Sequence, residues 1–252
     1  MPARAPFGFD APAEALDRLT PPSASARPRR ERQADKAERA LAIAAELASL
    51  YGEVDCPLIH RNTFELLMAV ILSAQCTDAA VNKVTPALFE RYPDPSTLSQ
   101  ASLSDIESCI RTLGLFRAKA KSLKRCAGQL VEVHHGEVPS SMDELTKLAG
   151  VGRKTANVIR GHAFGEPGIA VDTHCRRLSR RLGLTRNQDP VKIEADLARI
   201  LPPVEWTNFS HRLIIHGRRV CFARQPACAR CTLNRLCPSA SQSTSRSAPA
   251  AP

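Results

Sequence analysis

One lysine, one aspartate and four cysteines carry the chemistry this sequence offers. Lys154 follows a tight Gly150-Val151-Gly152 turn, and Asp172 stands eighteen positions further on. A lysine that reaches its neutral form is a nucleophile. Cys221, Cys228, Cys231 and Cys237 form a C-x6-C-x2-C-x5-C pattern. Four thiolates so close in sequence imply a metal. Zinc and [4Fe–4S] both accept four cysteine ligands, and spacing alone leaves the two level.

The lysine sits between two helical patterns. Ser141-Met142-Asp143-Glu144 reads as a capping box opening a short helix that runs to about residue 149. After the turn, Val158, Ile159 and Ala163 recur on one face of a second helix. Glycine suits the turn because it takes positive φ and lets another backbone approach. A dinucleotide loop needs a strand before it, and here a helix precedes. A nucleotide phosphate loop needs glycine directly before Lys-Thr, and Arg153 stands there. What remains is a helix N-terminus whose free amides suit one phosphate. Arg153 and Lys154 place positive charge against the helix dipole. That placement favours a neutral Lys154 amine, and a carboxylate at Asp172 opposes it.

The run Leu148-x-Gly150-x-Gly152-x-Lys154-Thr155-Ala156 resembles the helix–hairpin–helix of DNA glycosylases. Val171-Asp172-Thr173-His174 is similar to the segment that carries that superfamily's essential aspartate. Lysine in the hairpin with aspartate at this distance resembles the endonuclease III family, bifunctional glycosylases for oxidised pyrimidines. The cysteine spacing is also that family's, where it holds [4Fe–4S]. The resemblance spans about residues 38–237 without obvious insertions.

The resemblance implies an all-α fold of two helical domains flanking a DNA-binding cleft. A six-helix barrel with the hairpin is expected over residues 56–166. An iron–sulfur cluster domain is expected over residues 31–55 plus 167–237. The partner implied is double-stranded DNA with damaged pyrimidines or abasic sites, bound by a monomer. A glycosylase must extrude the damaged nucleotide and fill the gap, and the family's plugging residues match Gln75 and Leu115. Lys154 is expected to attack C1′ and expel the base, with β-elimination then cutting the strand. Asp172 is expected to stabilise charge on the sugar, besides capping a helix. Gly150, Gly152, Arg153, His174 and Arg224 are further candidate DNA contacts. The resemblance implies a structural cluster that shapes the loop carrying Arg224.

Three departures from the family pattern stand out. Gln225 and Ala227 are neutral in a loop often richer in Lys and Arg, and Ala149 replaces a frequent proline, which should loosen the turn slightly. Two rivals remain. An adenine-specific mismatch glycosylase shares the hairpin and cluster but generally lacks the lysine and carries a further domain. A non-enzymatic DNA-binding module with a structural metal would use Lys154 only as a phosphate contact.

The elements that position these residues read as helices. One is expected over residues 31–51, with Leu41, Ala44, Ala45 and Ala48 on one face. The next, residues 63–75, is apolar nearly all round and belongs in the middle of a domain. Asp78 is expected to cap the following helix, which Pro86 interrupts or restarts. Ser104 and Glu107 read as a capping box. A helix over residues 117–133 carries Leu123, Cys126, Ala127 and Leu130 inside and Lys119, Lys121, Lys124 and Arg125 largely outside. Asp172 caps a basic helix with Arg176, Arg177, Arg180 and Arg181, Asp189-Pro190 opens another, and Trp206, Phe209 and Leu213 mark the last. Only residues 168–171 look briefly extended.

The 252 residues suffice for one large or two modest domains. Basic residues outnumber acidic by 35 to 25, with pI about 9.5, which favours nucleic acid as partner. No apolar run spans a membrane, and no apolar signal core opens the chain. Cytoplasmic location is expected, nucleoid-associated in a bacterium. Nine cysteines without secretion point to metal or reduced thiols rather than disulfides. Residues 1–30 are expected to be a disordered basic arm and residues 238–252 a disordered tail.

Overall fold

The computed structural model describes residues 31–240. The arm over residues 1–30 and the tail beyond residue 240 lie outside the described residues. Among those described, the secondary structure is helical throughout: α1 (Gln33–Tyr51), α2 (Thr63–Leu72), α3 (Asp78–Arg91), α4 (Pro95–Gln100), α5 (Leu103–Ile110), α6 (Phe116–His134), α7 (Met142–Leu145), α8 (Arg153–Ala163), α9 (Thr173–Arg181), α10 (Pro190–Ala198) and α11 (Trp206–Arg219). Short 3-10 turns cover Pro203–Glu205, Cys228–Arg230 and Thr232–Leu236. Residues 168–171 join no strand. The fold is all-α, as the sequence predicts.

The buried apolar side chains fall into two clusters. One is built from residues between Leu58 and Ile159, and the other joins Ala40, Ile43, Ala44 and Leu47 of α1 to residues from Ile169 to Leu233. Helix α2 is the axis of the first: every residue from Phe64 to Leu72 is buried, including Glu65. The Glu65 carboxylate is answered by Arg61, whose backbone N–H and Nε donate to it at 2.7 and 2.8 Å. Around α2 pack α3, α6 and α8, and α4 and α5 lie on α6. In the second cluster α11 packs on α9 and α1. The chain leaves its second core after α1, builds the first core, and returns.

Several boundaries differ from expectation. Helix α2 stops at Leu72 rather than residue 75, because the chain turns through Ser73 and Ala74 and Gln75 takes a left-handed φ of 56°. Thr77, not Asp78, caps α3, accepting from Ala80 N at 3.2 Å. Pro86 neither interrupts nor restarts that helix. It is exposed, and Val81, Val84, Thr85, Leu88 and Phe89 anchor the opposite face. The box expected at Ser104 and Glu107 is formed by Ser102 and Asp105, with Asp105 N donating to Ser102 Oγ at 3.1 Å. Helix α7 closes at Leu145, although its Ser141–Glu144 box is as expected.

Two further corrections concern charge and the chain's end. Lys119 is buried rather than solvated. It shares the stripe of Leu123, Cys126, Ala127 and Leu130 by helical spacing, all five lying inside. The start of the expected tail is also ordered: Ser239 Oγ donates to Arg181 O at 2.8 Å, and Ala240 is buried.

Candidate active site and cysteine cavity

Lys154 and Asp172 are brought to one place by two helix N-termini. Gly152, with extended φ of −96°, caps α8, and Arg153 and Lys154 form its exposed first turn. Of the two hairpin glycines only Gly150 takes positive φ, 81°. A Cβ there would stand 3.0 Å from Ile71 Cγ2 and 3.1 Å from Ser122 Cβ. The hairpin thus rests directly on α2 and α6, and only glycine fits.

Ala149 does not leave its turn loose. Its N–H donates to Gln129 Oε1 at 2.8 Å, and Gln129 Nε2 donates to Lys147 O at 3.0 Å. Proline lacks that N–H. The α6 glutamine clasps the turn from both sides.

Asp172 caps α9, its Oδ1 accepting from Cys175 N at 2.7 Å. The segment before it is pinned to α8 and α11. Asn157 Nδ2 donates to Ile169 O at 3.0 Å, and Ala170 N donates to Ser210 Oγ at 3.3 Å. Asn157 is one turn beyond Lys154, so the helix that carries the lysine also holds the segment that carries the aspartate. The Asp172 carboxylate and the Lys154 ammonium both act on the Cys175 thiol, which burial pushes up to about 12. Lys154 also acts on His211 of α11. Both charges therefore lie within electrostatic reach of the Cys175 thiol.

The other candidate contacts divide. Gln75 and Leu115 are exposed, Leu115 by 60%, and both are left-handed, at φ 56° and 59°. His135, at the end of α6, is the third non-glycine residue of this kind among the described residues. Left-handed backbone is uncommon for leucine and is held only where the surroundings over-determine it. Arg224 is exposed on the loop after Cys221. Arg153 is engaged: its Nε and Nη2 donate to Glu194 of α10 at 2.7 and 2.9 Å. His174 Nδ1 accepts from Arg177 Nη2 of its own helix at 3.1 Å and lies against α11. A Cβ on Gly217 would lie 2.9 Å from that nitrogen. Burial, and then the Arg177 and Arg218 charges, push His174 down against the pull of Asp172.

Cys221, Cys228, Cys231 and Cys237 all line one cavity of about 690 Å³, shared with Leu178, Leu182 and Leu233. Among the described residues, no three His, Cys, Asp or Glu side chains converge on the single point that one zinc ion requires. Two groups that sequence reasoning missed reach the thiols. Arg181 Nη1 approaches Cys221 Sγ at 3.3 Å and also donates to Phe222 O at 2.6 Å. His216 Nε2 approaches Cys231 Sγ at 3.3 Å, while its Nδ1 meets Tyr51 Oη at 2.9 Å. Burial pushes the Cys231 and Cys237 thiols up, and the neighbouring cysteines add to it.

The all-α fold, with a glycine hairpin opening one helix at a lysine and an aspartate capping the next, is that of a class of DNA repair proteins. Residues 68–203 match the model of the HhH-GPD superfamily of base excision DNA repair proteins. The endonuclease III of Synechocystis sp. is 51% identical over 213 residues, covering 84% of this chain and 97% of that protein. A trapped endonuclease III–DNA covalent intermediate is similar at 45% identity and TM-score 0.78, over 82% of this chain and 97% of that one. A non-covalent endonuclease III–DNA complex is similar at 44% identity and TM-score 0.79, over 83% of this chain and 99% of that one. The chain belongs to the endonuclease III family.

Proposed function

We propose that this chain is a base excision repair glycosylase with AP lyase activity that removes oxidised pyrimidines from double-stranded DNA, with Lys154 as nucleophile and Asp172 as its charged partner. The observation that carries the reading is that α8, whose first turn holds Lys154, also pins through Asn157 the segment that ends in Asp172. An exposed lysine at one helix N-terminus and a half-buried carboxylate at another act on the same Cys175 thiol.

Lys154 Nζ attacks C1′ of the extruded nucleotide, and the bond from C1′ to the base breaks. Asp172 faces the positive charge that develops on the sugar as the base leaves. The C1′–O4′ bond then opens as Nζ gives up a proton and O4′ takes one, leaving the Schiff base, and loss of a C2′ proton to water expels the 3′ phosphate. Gln75 and Leu115 fill the space the nucleotide vacates. Gly150 and Gly152 present the α8 amides to a phosphate, and Arg224 is free to meet another. Arg153 reaches one only by leaving Glu194, and His174 supports α9 against α11 rather than facing DNA.

The two buried clusters are read as two domains, residues 56–166 with the hairpin and residues 31–55 plus 167–237 with the cysteines, DNA lying in the cleft between. The cysteine cavity suits a [4Fe–4S] cluster better than zinc. Four thiols ringing a volume match a many-atom group, and the Arg181 and His216 donors match hydrogen bonds to cluster sulfurs. Cys221, Cys228, Cys231 and Cys237 would hold it. When bound it would fix the loop that presents Arg224.

The test is borohydride trapping on a duplex with one thymine glycol, wild type beside Lys154→Ala. A covalent adduct with the wild type alone is expected, from protein that carries iron and sulfide rather than zinc. A Lys154→Ala protein that still nicks abasic DNA would overturn the assignment.

A further inference from the structure

Three residues with full charges are buried among the described residues: Glu65, Lys119 and Arg212. Glu65 is paired with Arg61. Arg212 is paired with Glu205 and donates to Gly52 O at 2.8 Å. Lys119 has no carboxylate partner among the described residues. Its Nζ donates to Cys76 Sγ at 2.8 Å. An ammonium group buried against a thiol is costly, and an apolar side chain of the same length would pack there at less cost. Stability of the α6 stripe therefore does not account for a lysine.

The two ends of Lys119 do. Its backbone N–H donates to Leu115 O at 3.0 Å, which closes the first turn of α6 behind the left-handed Leu115. Its side chain crosses to Cys76, the residue after the left-handed Gln75. One buried residue thus joins the two turns whose tips are exposed and whose backbones are held in an uncommon region. Leu115 has no side-chain cap of its own. Tips that enter stacked bases are pushed back against the protein, and a turn that yields loses the geometry that opens the duplex.

We propose that Lys119 is a positioning residue, a strut that holds the Gln75 turn and the Leu115 turn at the separation needed to fill the gap left by an extruded nucleotide. This rests on the reading that Gln75 and Leu115 plug that gap. The strut touches neither the sugar nor the base and acts only through the two turns.

The experiment compares duplex work with single-strand work. Base release from a thymine glycol duplex is measured in single turnovers, and strand cleavage is measured at an abasic site in single-stranded DNA, where no gap needs filling. A 2-aminopurine opposite the lesion reports opening of the duplex by its fluorescence. Lys119→Met is expected to slow duplex base release by roughly tenfold or more. It should blunt the fluorescence rise, with single-strand cleavage within about twofold of wild type. Cys76→Val, which removes the acceptor, should behave the same way, Cys76→Ser should keep most activity, and the Lys119→Met, Cys76→Val double variant should be no worse than either single one.

Equal losses on duplex and single strand, or no loss at all, overturn the strut. Gln75→Ala and Leu115→Ala separate the two readings. If they leave duplex base release intact, the plugging reading fails and the strut falls with it. If they impair it while Lys119→Met and Cys76→Val do not, the strut alone fails.

Discussion

Asp172 uses one carboxylate oxygen to cap α9 and keeps the other free of protein partners among the described residues. Its structural and chemical duties can therefore be separated. Asparagine caps a helix about as well as aspartate, so Asp172→Asn should change folding stability by less than about 0.5 kcal/mol. The lost charge should slow base release by roughly a hundredfold or more. Thermal unfolding beside single-turnover kinetics tests this, and a variant equally impaired in both would leave Asp172 with only its cap. At this scale the sequence was readable where chemistry is local. Asp172 caps a helix three residues away, and Ser141 does the same. Tyr51, His216 and Cys231 could not be joined by pattern, because 165 positions separate the first two. For Lys119 charge argues for solvent and spacing for the core, and spacing wins.

Helix order and the buried face of α2 followed from periodicity, whereas the ends of helices did not. Apolar spacing says which face is buried and not where the backbone turns left-handed, so α2 was carried three residues past Leu72 into the Gln75 turn. Sequence shows that α9 is basic and not what its arginines meet. Two of them serve α11 and the cysteine loop: Arg177 donates to Gly217 O and Cys221 O, both at 3.0 Å, and Arg181 donates to Phe222 O and Ala223 O. The same applies to the hairpin. Arg153 leans across from α8 to Glu194 of α10, which removes one positive charge from the site where a phosphate would sit. Glu194→Gln frees the guanidinium and removes a carboxylate that repels the backbone. Affinity for undamaged duplex should rise by about threefold to tenfold at low salt, with a steeper salt dependence. Binding isotherms at several salt concentrations decide it. An unchanged slope would mean that Arg153 makes no phosphate contact even when released.

Two cores in one chain need contacts that hold them in register. The stack between α8 and α11 is such a contact: His162 and His211 lie 4.8 Å apart at 19°, with Nε2 and Nδ1 3.3 Å apart. Burial pushes His211 from 6.5 down to about 4, and the His162 and Lys154 charges push the same way. His162 is also lowered, first by burial and then by His60, against Asp55. Unfolding returns both imidazoles to ordinary values. Between pH 6.5 and about 4 the unfolded chain therefore binds protons that the folded chain refuses. Stability from the neutral pair is complete above that window and is lost as pH falls through it. For His211 alone the full loss is on the order of 3 kcal/mol. Urea midpoints taken stepwise from neutral pH to the lower edge of the window should fall accordingly. Carboxylates also titrate there, so the comparison that isolates the stack is His211→Gln, which keeps hydrogen-bonding capacity and cannot take the charge. Its midpoint should decline less steeply than the wild type's. Parallel slopes would place the acid sensitivity elsewhere and leave the histidine stack as packing alone.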